Sequence, residues 1–278
     1  MKTILIPTDF SENSWSALAY AVSLFKDIPC NFYILHVDDL KHSSVESNSF
    51  TMPVGQIATS IKEKLDNLFR RIEQLPINQD HHFVALQDYG NLVNILRKIV
   101  QEKKIDLIIM GTKGASGIKE SVVGSNTGDV ITKVPCNLLV IPENARSGSP
   151  KEIAFPTDYN IFYSHPILET ISEILRICKA NMQVIHVSSI KRGLDPTQKK
   201  NRAYLQDYLE ELFATSHSFH TLEDKNVKAS IEAFANTENI DMVVMVAKNL
   251  NFLQRLLFDT TIEKLSFHTC VPLLVLHE

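Results

Sequence analysis

The sequence predicts two consecutive α/β domains, each a five-stranded parallel sheet with helices on both faces, and three observations carry that expectation. Short, continuously apolar runs alternate with segments of helical periodicity, the pattern of strands buried on two faces. Four of those runs return in the same order in the second half of the chain, which marks an internal duplication. At 278 residues and 44% apolar composition, the chain is long enough for two cores of about 140 residues each.

In the first half, residues 3–8 form a strand. Thr8-Asp9-Phe10-Ser11 then turns the chain into a helix in which Trp15, Leu18, Ala19, Val22 and Phe25 keep helical spacing, with Ser11 as its N-cap. Pro29 ends that helix, and residues 32–37 are a second buried strand. Residues 39–55, which include four serines, read as a surface loop or flap. Ile57, Ile61, Leu65, Leu68, Phe69, Ile72 and Leu75 mark a long amphipathic helix, with Lys62, Lys64, Arg70 and Arg71 on its solvated side. A third strand covers 82–87. After the Tyr89-Gly90 turn, a helix carries Leu92, Ile95, Leu96 and Ile99. The fourth strand is 106–110, a helix runs over 125–133, and the fifth strand is 138–141.

The second half repeats this plan. Ile153-Ala154-Phe155-Pro156-Thr157-Asp158 matches Ile4-Leu5-Ile6-Pro7-Thr8-Asp9, and Val184-Ile185-His186-Val187 matches Ile34-Leu35-His36-Val37. Residues 240–245 match 105–110, and 273–276 match 138–141. The offset is 149 or 150 in the early blocks and 135 in the late ones, so the second copy has a shorter middle. A polar Gly/Ser/Pro stretch over 143–150 separates domains of residues 1–143 and 151–278.

Between the fourth strand and the next helix of the first half lies a loop with Gly111, Gly114 and then Gly124-Ser125. Glycine suits a backbone that turns with positive φ or that a ligand approaches more closely than a Cβ allows. Ser125, Asn126 and Thr127 open a helix whose free N–H groups and positive dipole end favour an anion. Glycines after a strand also serve as simple turn punctuation. Three of them with Ser125, in a strand–loop–helix setting, point to a phosphate cradle. The spacing is neither the Walker pattern nor the dinucleotide G-x-G-x-x-G.

Other chemistry is sparse. A formal net charge of −4 gives no electrostatic case for nucleic acid. No apolar run approaches the ~18 residues of a membrane span. The opening run is short and ends at Pro7, unlike a secretory leader, and a cytoplasmic protein is expected. Cys30, Cys136, Cys178 and Cys270 show no C-x-x-C pair and read as buried small hydrophobes. His36 and His186 recur at one place inside apolar strands, as histidines satisfied within the fold. No Ser-His-Asp or Cys-His arrangement is evident, so no catalytic residue and no metal ligand is assigned.

With Pro7-Thr8-Asp9-Phe10-Ser11, the apolar strand leading into Met110-Gly111-Thr112-Lys113-Gly114, and the Gly124-Ser125 spacing in place, the chain resembles the universal stress proteins in their tandem two-domain form. The resemblance covers nearly the whole chain. It implies a Rossmann-like fold of the adenine nucleotide alpha hydrolase type and an ATP-binding signature in the first half. By that likeness Asp9 would bond the adenine or ribose side of the nucleotide, Pro7 and Thr8 would shape the wall, and Val37 would meet the base through its backbone. Met110, Gly111, Lys113 and Gly114 would line ribose and phosphates, while Gly124, Ser125, Asn126 and Thr127 would hold phosphates from the helix start. Lys113 would add a flexible point charge. Magnesium would travel with the triphosphate. The likeness also implies pairing of the last strands, 138–141 with 273–276, which removes two apolar edges, and a further homodimer of chains.

The second half departs from that signature: Val246, Asn249 and Asp259 stand where Gly111, Gly114 and Gly124 stand in the first. A Cβ then occupies each point of close approach, and Asp259 would repel a phosphate. Residues 251–258 bring Phe252, Leu256, Leu257 and Phe258, which pack in their own core or against a neighbour. The expectation is a nucleotide-dependent regulatory protein of the stress-response type with ATP in the first half only. A slow magnesium-dependent ATP hydrolase or a nucleotidyl or phosphoryl transferase is the alternative, and a ligand-free interaction scaffold the third class.

Overall fold

The computed structural model describes residues 1–38, 54–112, 125–146, 148–188, 193–248 and 271–278, the side chains of 54–60 excepted. The first half runs β1 (Lys2–Pro7), α1 (Glu12–Leu24), β2 (Cys30–Asp38), α2 (Val54–Ile72), β3 (His82–Tyr89), α3 (Leu92–Lys103), β4 (Leu107–Gly111), α4 (Ser125–Lys133) and β5 (Leu138–Ile141). The second half runs β6 (Glu152–Pro156), α5 (His165–Cys178), β7 (Asn181–Ser188), α6 (Pro196–Phe213), β8 (His217–Glu223), α7 (Val227–Thr237), β9 (Met242–Val246) and β10 (Leu273–Leu276). Among the described residues each half therefore supplies five strands.

All ten strands lie in one sheet, in the order β3-β2-β1-β4-β5-β10-β9-β6-β7-β8. Every pairing is parallel except that of β5 with β10, where Leu273 faces Val140, Leu274 faces Leu139 and Val275 faces Leu138. Beside that seam the His277 N–H donates to Asn137 Oδ1 at 2.9 Å. A Lys2–Glu173 ion pair (2.6 Å) joins β1 to α5. Alternation along each strand divides the core between the two faces. Ile4 and Ile6 join one cluster with α1 and α5, while Leu5 joins the other with α3, α4 and α7. Both clusters run through the two halves.

Local chemistry sets the ends of these elements. Ser11 caps α1 by accepting from the Ser14 N–H (3.2 Å), and Asn91 caps α3 by accepting from Asn94 (3.1 Å). α1 stops at Leu24 rather than running on to Pro29, because Phe25 closes it onto Ala21 O and the Ile28 N–H turns back to Phe25 O. Arg71, expected as solvated surface, instead lies 4.1 Å over the Trp15 ring and makes a two-point ion pair with Glu12 at 2.8 and 2.9 Å. That contact fastens α2 to α1.

The shorter middle of the second copy has a definite place. The connection from β2 to α2 is residues 39–53, and its counterpart from β7 to α6 is only 189–195. The link from α2 to β3 is 73–81, and that from α6 to β8 is 214–216. The flap expected over 39–55 lies outside the described residues up to residue 53, where α2 begins at Val54.

Candidate functional site

In the first half, β1 has β2 on one side and β4 on the other, so the chain leaves in opposite directions from neighbouring strands. Ligands of open α/β sheets bind outside the carboxyl ends of the strands at such a switch point. Pro7 ends β1, Gly111 ends β4, and the register Ile4–Leu107 and Leu5–Ile108 brings both ends to one edge. Val37, half-buried, lies near the same end of β2.

The loop after β1 is held from below. The Thr8 N–H donates to Leu35 O (2.8 Å), and His36 Nδ1 donates to Thr8 O (2.9 Å), which leaves Nε2 as the acceptor in the neutral ring. Thr8, 6% exposed, shares a hydroxyl bond with Ser14 Oγ (3.0 Å) and accepts from the Phe10 N–H (3.1 Å). Phe10 takes a left-handed φ of 63° and packs on the His36 ring, 4.6 Å between centroids. Those contacts present Asp9 at the surface, where its Oδ1 accepts from the Ser11 N–H (3.0 Å).

The β4 side is tied to the helix that follows it. Thr127, 2% exposed, donates its hydroxyl to Gly111 O at 2.9 Å. That bond fixes the start of α4 against the end of β4, so Thr127 has a place in the scaffold as well as on the edge. Ser125 and Asn126, the first two residues of α4, are exposed, and the first-turn N–H groups of a helix have no intrahelical partner. Met110 turns inward and is 7% exposed. Gly111 is buried, and a Cβ built on it would lie 2.7 Å from Asn13 Oδ1. Lys113, Gly114 and Gly124 lie outside the described residues.

The second half builds the same loop and then departs. The Thr157 N–H donates to Ile185 O (2.8 Å), His186 Nδ1 to Thr157 O (3.0 Å), the Tyr159 N–H to Thr157 Oγ1 (3.0 Å) and the Asn160 N–H to Asp158 Oδ1 (3.0 Å). Tyr159 repeats the left-handed φ at 57°. In the place of Ser14, however, stands Tyr163, fully buried, its hydroxyl 2.6 Å from Thr157 Oγ1. α5 opens only at His165, and its cap residue Ser164 makes no side-chain cap bond. α6 then closes the loop from outside: Gln198 Nε2 donates to Asp158 O and Asn201 Nδ2 to Tyr159 O, both at 2.8 Å. Burial drives the Tyr159 phenol up to about 12 and the Tyr163 phenol higher still, so both stay protonated. Asn249, Asp259 and the apolar run with Phe252, Leu256, Leu257 and Phe258 fall outside the described residues.

Reading the sequence missed Asn13, Ser14 and Tyr163. Asn13 and Ser14 are polar residues on the buried side of an amphipathic helix, which is the signal that could have found them. Cys30, Cys136 and Cys178 are buried, and desolvation lifts their thiols to about 11, 12 and 11, well above the range of a reactive cysteine. No helix among the described residues is long and apolar enough to cross a membrane.

These features define a doubly wound α/β protein built from two copies of one unit. A sequence profile of the universal stress protein family matches residues 1–142 and 168–277, and the chain belongs to that family. A universal stress protein of Methanocaldococcus jannaschii is 28% identical over 158 residues, an alignment covering 50% of this chain and 94% of that protein. Over the whole length, the crystal structure of a universal stress protein from Archaeoglobus fulgidus superposes with a TM-score of 0.71 at 20% identity, covering 99% of this chain and 96% of that one. A universal stress protein structure from Pseudomonas aeruginosa gives a TM-score of 0.58 at 15% identity over 99% of this chain and 93% of its own. Both share the tandem fold.

Proposed function

We propose that this chain binds an adenine nucleotide, ATP, at the carboxyl edge of β1 and β4 in its first half alone, and acts as a nucleotide-dependent regulatory protein. The observation that carries the reading is the bond from Thr127 to Gly111 O, which sets the start of α4 against the end of β4, the strand next to the one whose loop presents Asp9. The donor set suits the ligand. The first-turn N–H groups at Ser125 and Asn126 would match phosphate oxygens, and the Asp9 carboxylate matches a ribose hydroxyl or an adenine amine. Gly111, Met110, Pro7, Thr8 and Val37 would complete the wall, with Lys113, Gly114 and Gly124 contributing from the loop between β4 and α4. Magnesium would be held by the phosphates themselves.

Regulation requires that ATP bind two states of the chain with different affinity. The single sheet spanning both halves offers a route, since α4 begins at the nucleotide edge and ends beside the β5–β10 seam. Equilibrium titration of the full chain with ATP tests the reading. One nucleotide per chain is expected, with affinity reduced by Asp9→Ala and unchanged by Asp158→Ala. Absence of binding would remove the nucleotide reading, and equal sensitivity to both substitutions would remove its restriction to the first half.

A further inference from the structure

We infer that Asn13 is a positioning residue of the nucleotide edge, and that Gly111 lacks a side chain to make room for the Asn13 amide rather than for the ligand. The inference rests on the nucleotide reading and concerns how the β4 wall of that site is held.

Gly111 does not need glycine for its backbone conformation: the described glycines with positive φ are Gly90 (126°) and Gly148 (124°). Its missing side chain points at α1. A Cβ there would stand 2.7 Å from Asn13 Oδ1, 2.8 Å from Cγ and 3.0 Å from Nδ2, inside the ~3.5 Å at which such atoms reach favourable contact. Asn13 is the second residue of α1 and only 7% exposed. Its amide cannot swing into water as an exposed side chain would, so a β-carbon at 111 must push either the amide or the end of β4. The end of β4 in turn holds α4 through the Thr127 hydroxyl on Gly111 O. α1 thereby sets the level of β4, and β4 sets the level of the helix whose start faces the phosphates.

The second half supplies a control within the same molecule. There β9 ends in Val246, which carries a full side chain and is 6% exposed. The residue in line with Asn13 is Phe162, turned outward and 56% exposed, and α5 has not yet begun at that point. Side chain at the strand end and amide on the facing helix are exchanged together, as a steric pair requires. A glycine kept solely for close approach of a ligand would not depend on what α1 carries.

The test is a double-substitution cycle on the full chain, with Gly111→Ala, Asn13→Ala and both, read by thermal unfolding and by ATP titration well below the unfolding range. Gly111→Ala is expected to lower Tm by about 2–4 °C. The same substitution is expected to weaken ATP binding roughly tenfold. Asn13→Ala deletes the three atoms that the new β-carbon would strike. In that background Gly111→Ala is expected to cost little Tm or affinity beyond what Asn13→Ala alone costs. Equal loss of affinity from Gly111→Ala in both backgrounds would mean that the ligand needs the bare backbone, and would overturn the inference. So would a Gly111→Ala variant with unchanged Tm and affinity. Should Gly111→Ala fail to fold, folding of the double variant supports the steric pair and its failure refutes it. A wild-type chain that binds no ATP would remove the nucleotide reading, while the Tm cycle would still judge the contact between Asn13 and Gly111.

Discussion

Thr8 and Thr157 hold the loops after β1 and β6 by the same set of bonds, yet six residues further on one loop meets Ser14 and the other meets Tyr163. On the Ser14 side the helix begins at once, polar side chains line its buried first turn, and the carboxylate of Asp9 stands at the surface. On the Tyr163 side a phenol fills that space, the helix starts later, and α6 closes over the loop with Gln198 and Asn201. The backbone needed for the loop is thus separable from the room needed beside it. Bonds shared by the halves, including those of His36 and His186, belong to the fold; what only the first half has is the candidate for ligand chemistry.

The largest expected effect tests whether Tyr163 has become core. Tyr163→Ala deletes a fully buried aromatic and should cost about 3–5 kcal/mol in urea unfolding, whereas Ser14→Ala at the matching place should cost about 1 kcal/mol. Equal costs would mean that Tyr163 has not become core. Next comes the closure by α6. Asn201, 6% exposed, satisfies the Tyr159 carbonyl, and Asn201→Ala leaves that buried acceptor unmatched, for an expected loss of about 1–3 kcal/mol. A neutral outcome would show the loop to be open in the second half as well.

The smallest expected effect concerns pH and falls on the first half and the seam. His81 is 8% exposed with neither ring nitrogen hydrogen-bonded among the described residues, lies edge-on to Phe32 at 5.0 Å, and has its pKa lowered from 6.5, chiefly by burial. His277 beside β5 is lowered from 6.5 by burial too, against a hydrogen bond with the Ile131 backbone. Both bind protons more weakly folded than unfolded. Their contribution to stability is therefore present above 6.5 and is lost as pH falls below it. Denaturant midpoints measured from about pH 7.5 down to 5.5 should decline, and His81→Leu should flatten part of that decline. A slope unchanged by His81→Leu would mean that the ring is not buried neutral.

Much of the fold was legible because its signals are local. Continuous apolar runs flanked by Gly, Pro and polar turns mark parallel strands, and the repeat of Ile-Pro-Thr-Asp-like and Ile-Asp-Leu-Ile-like blocks doubled every such signal. Ser11 as a cap and α4 over 125–133 needed nothing beyond neighbouring residues. The site was legible only where it follows the strand ends. The seat of Asn13 under Gly111 depends on two elements distant in sequence, and neither residue alone announces the contact. The alignment of Asp158 with Asp9 was correct as backbone, but it could not reveal that α5 begins late or that Tyr163 and α6 take the adjoining space. Arg71 was misread for the same reason, since its partners Trp15 and Glu12 belong to another helix.

On the proposed reading one scaffold occurs twice and only the first copy takes nucleotide. Photolabelling of the full chain with 8-azido-ATP, followed by peptide mass spectrometry, addresses it directly. Label confined to peptides of residues 1–143, and lost on competition with ATP, is the result expected. Competable label on peptides of residues 151–278 would contradict the claim.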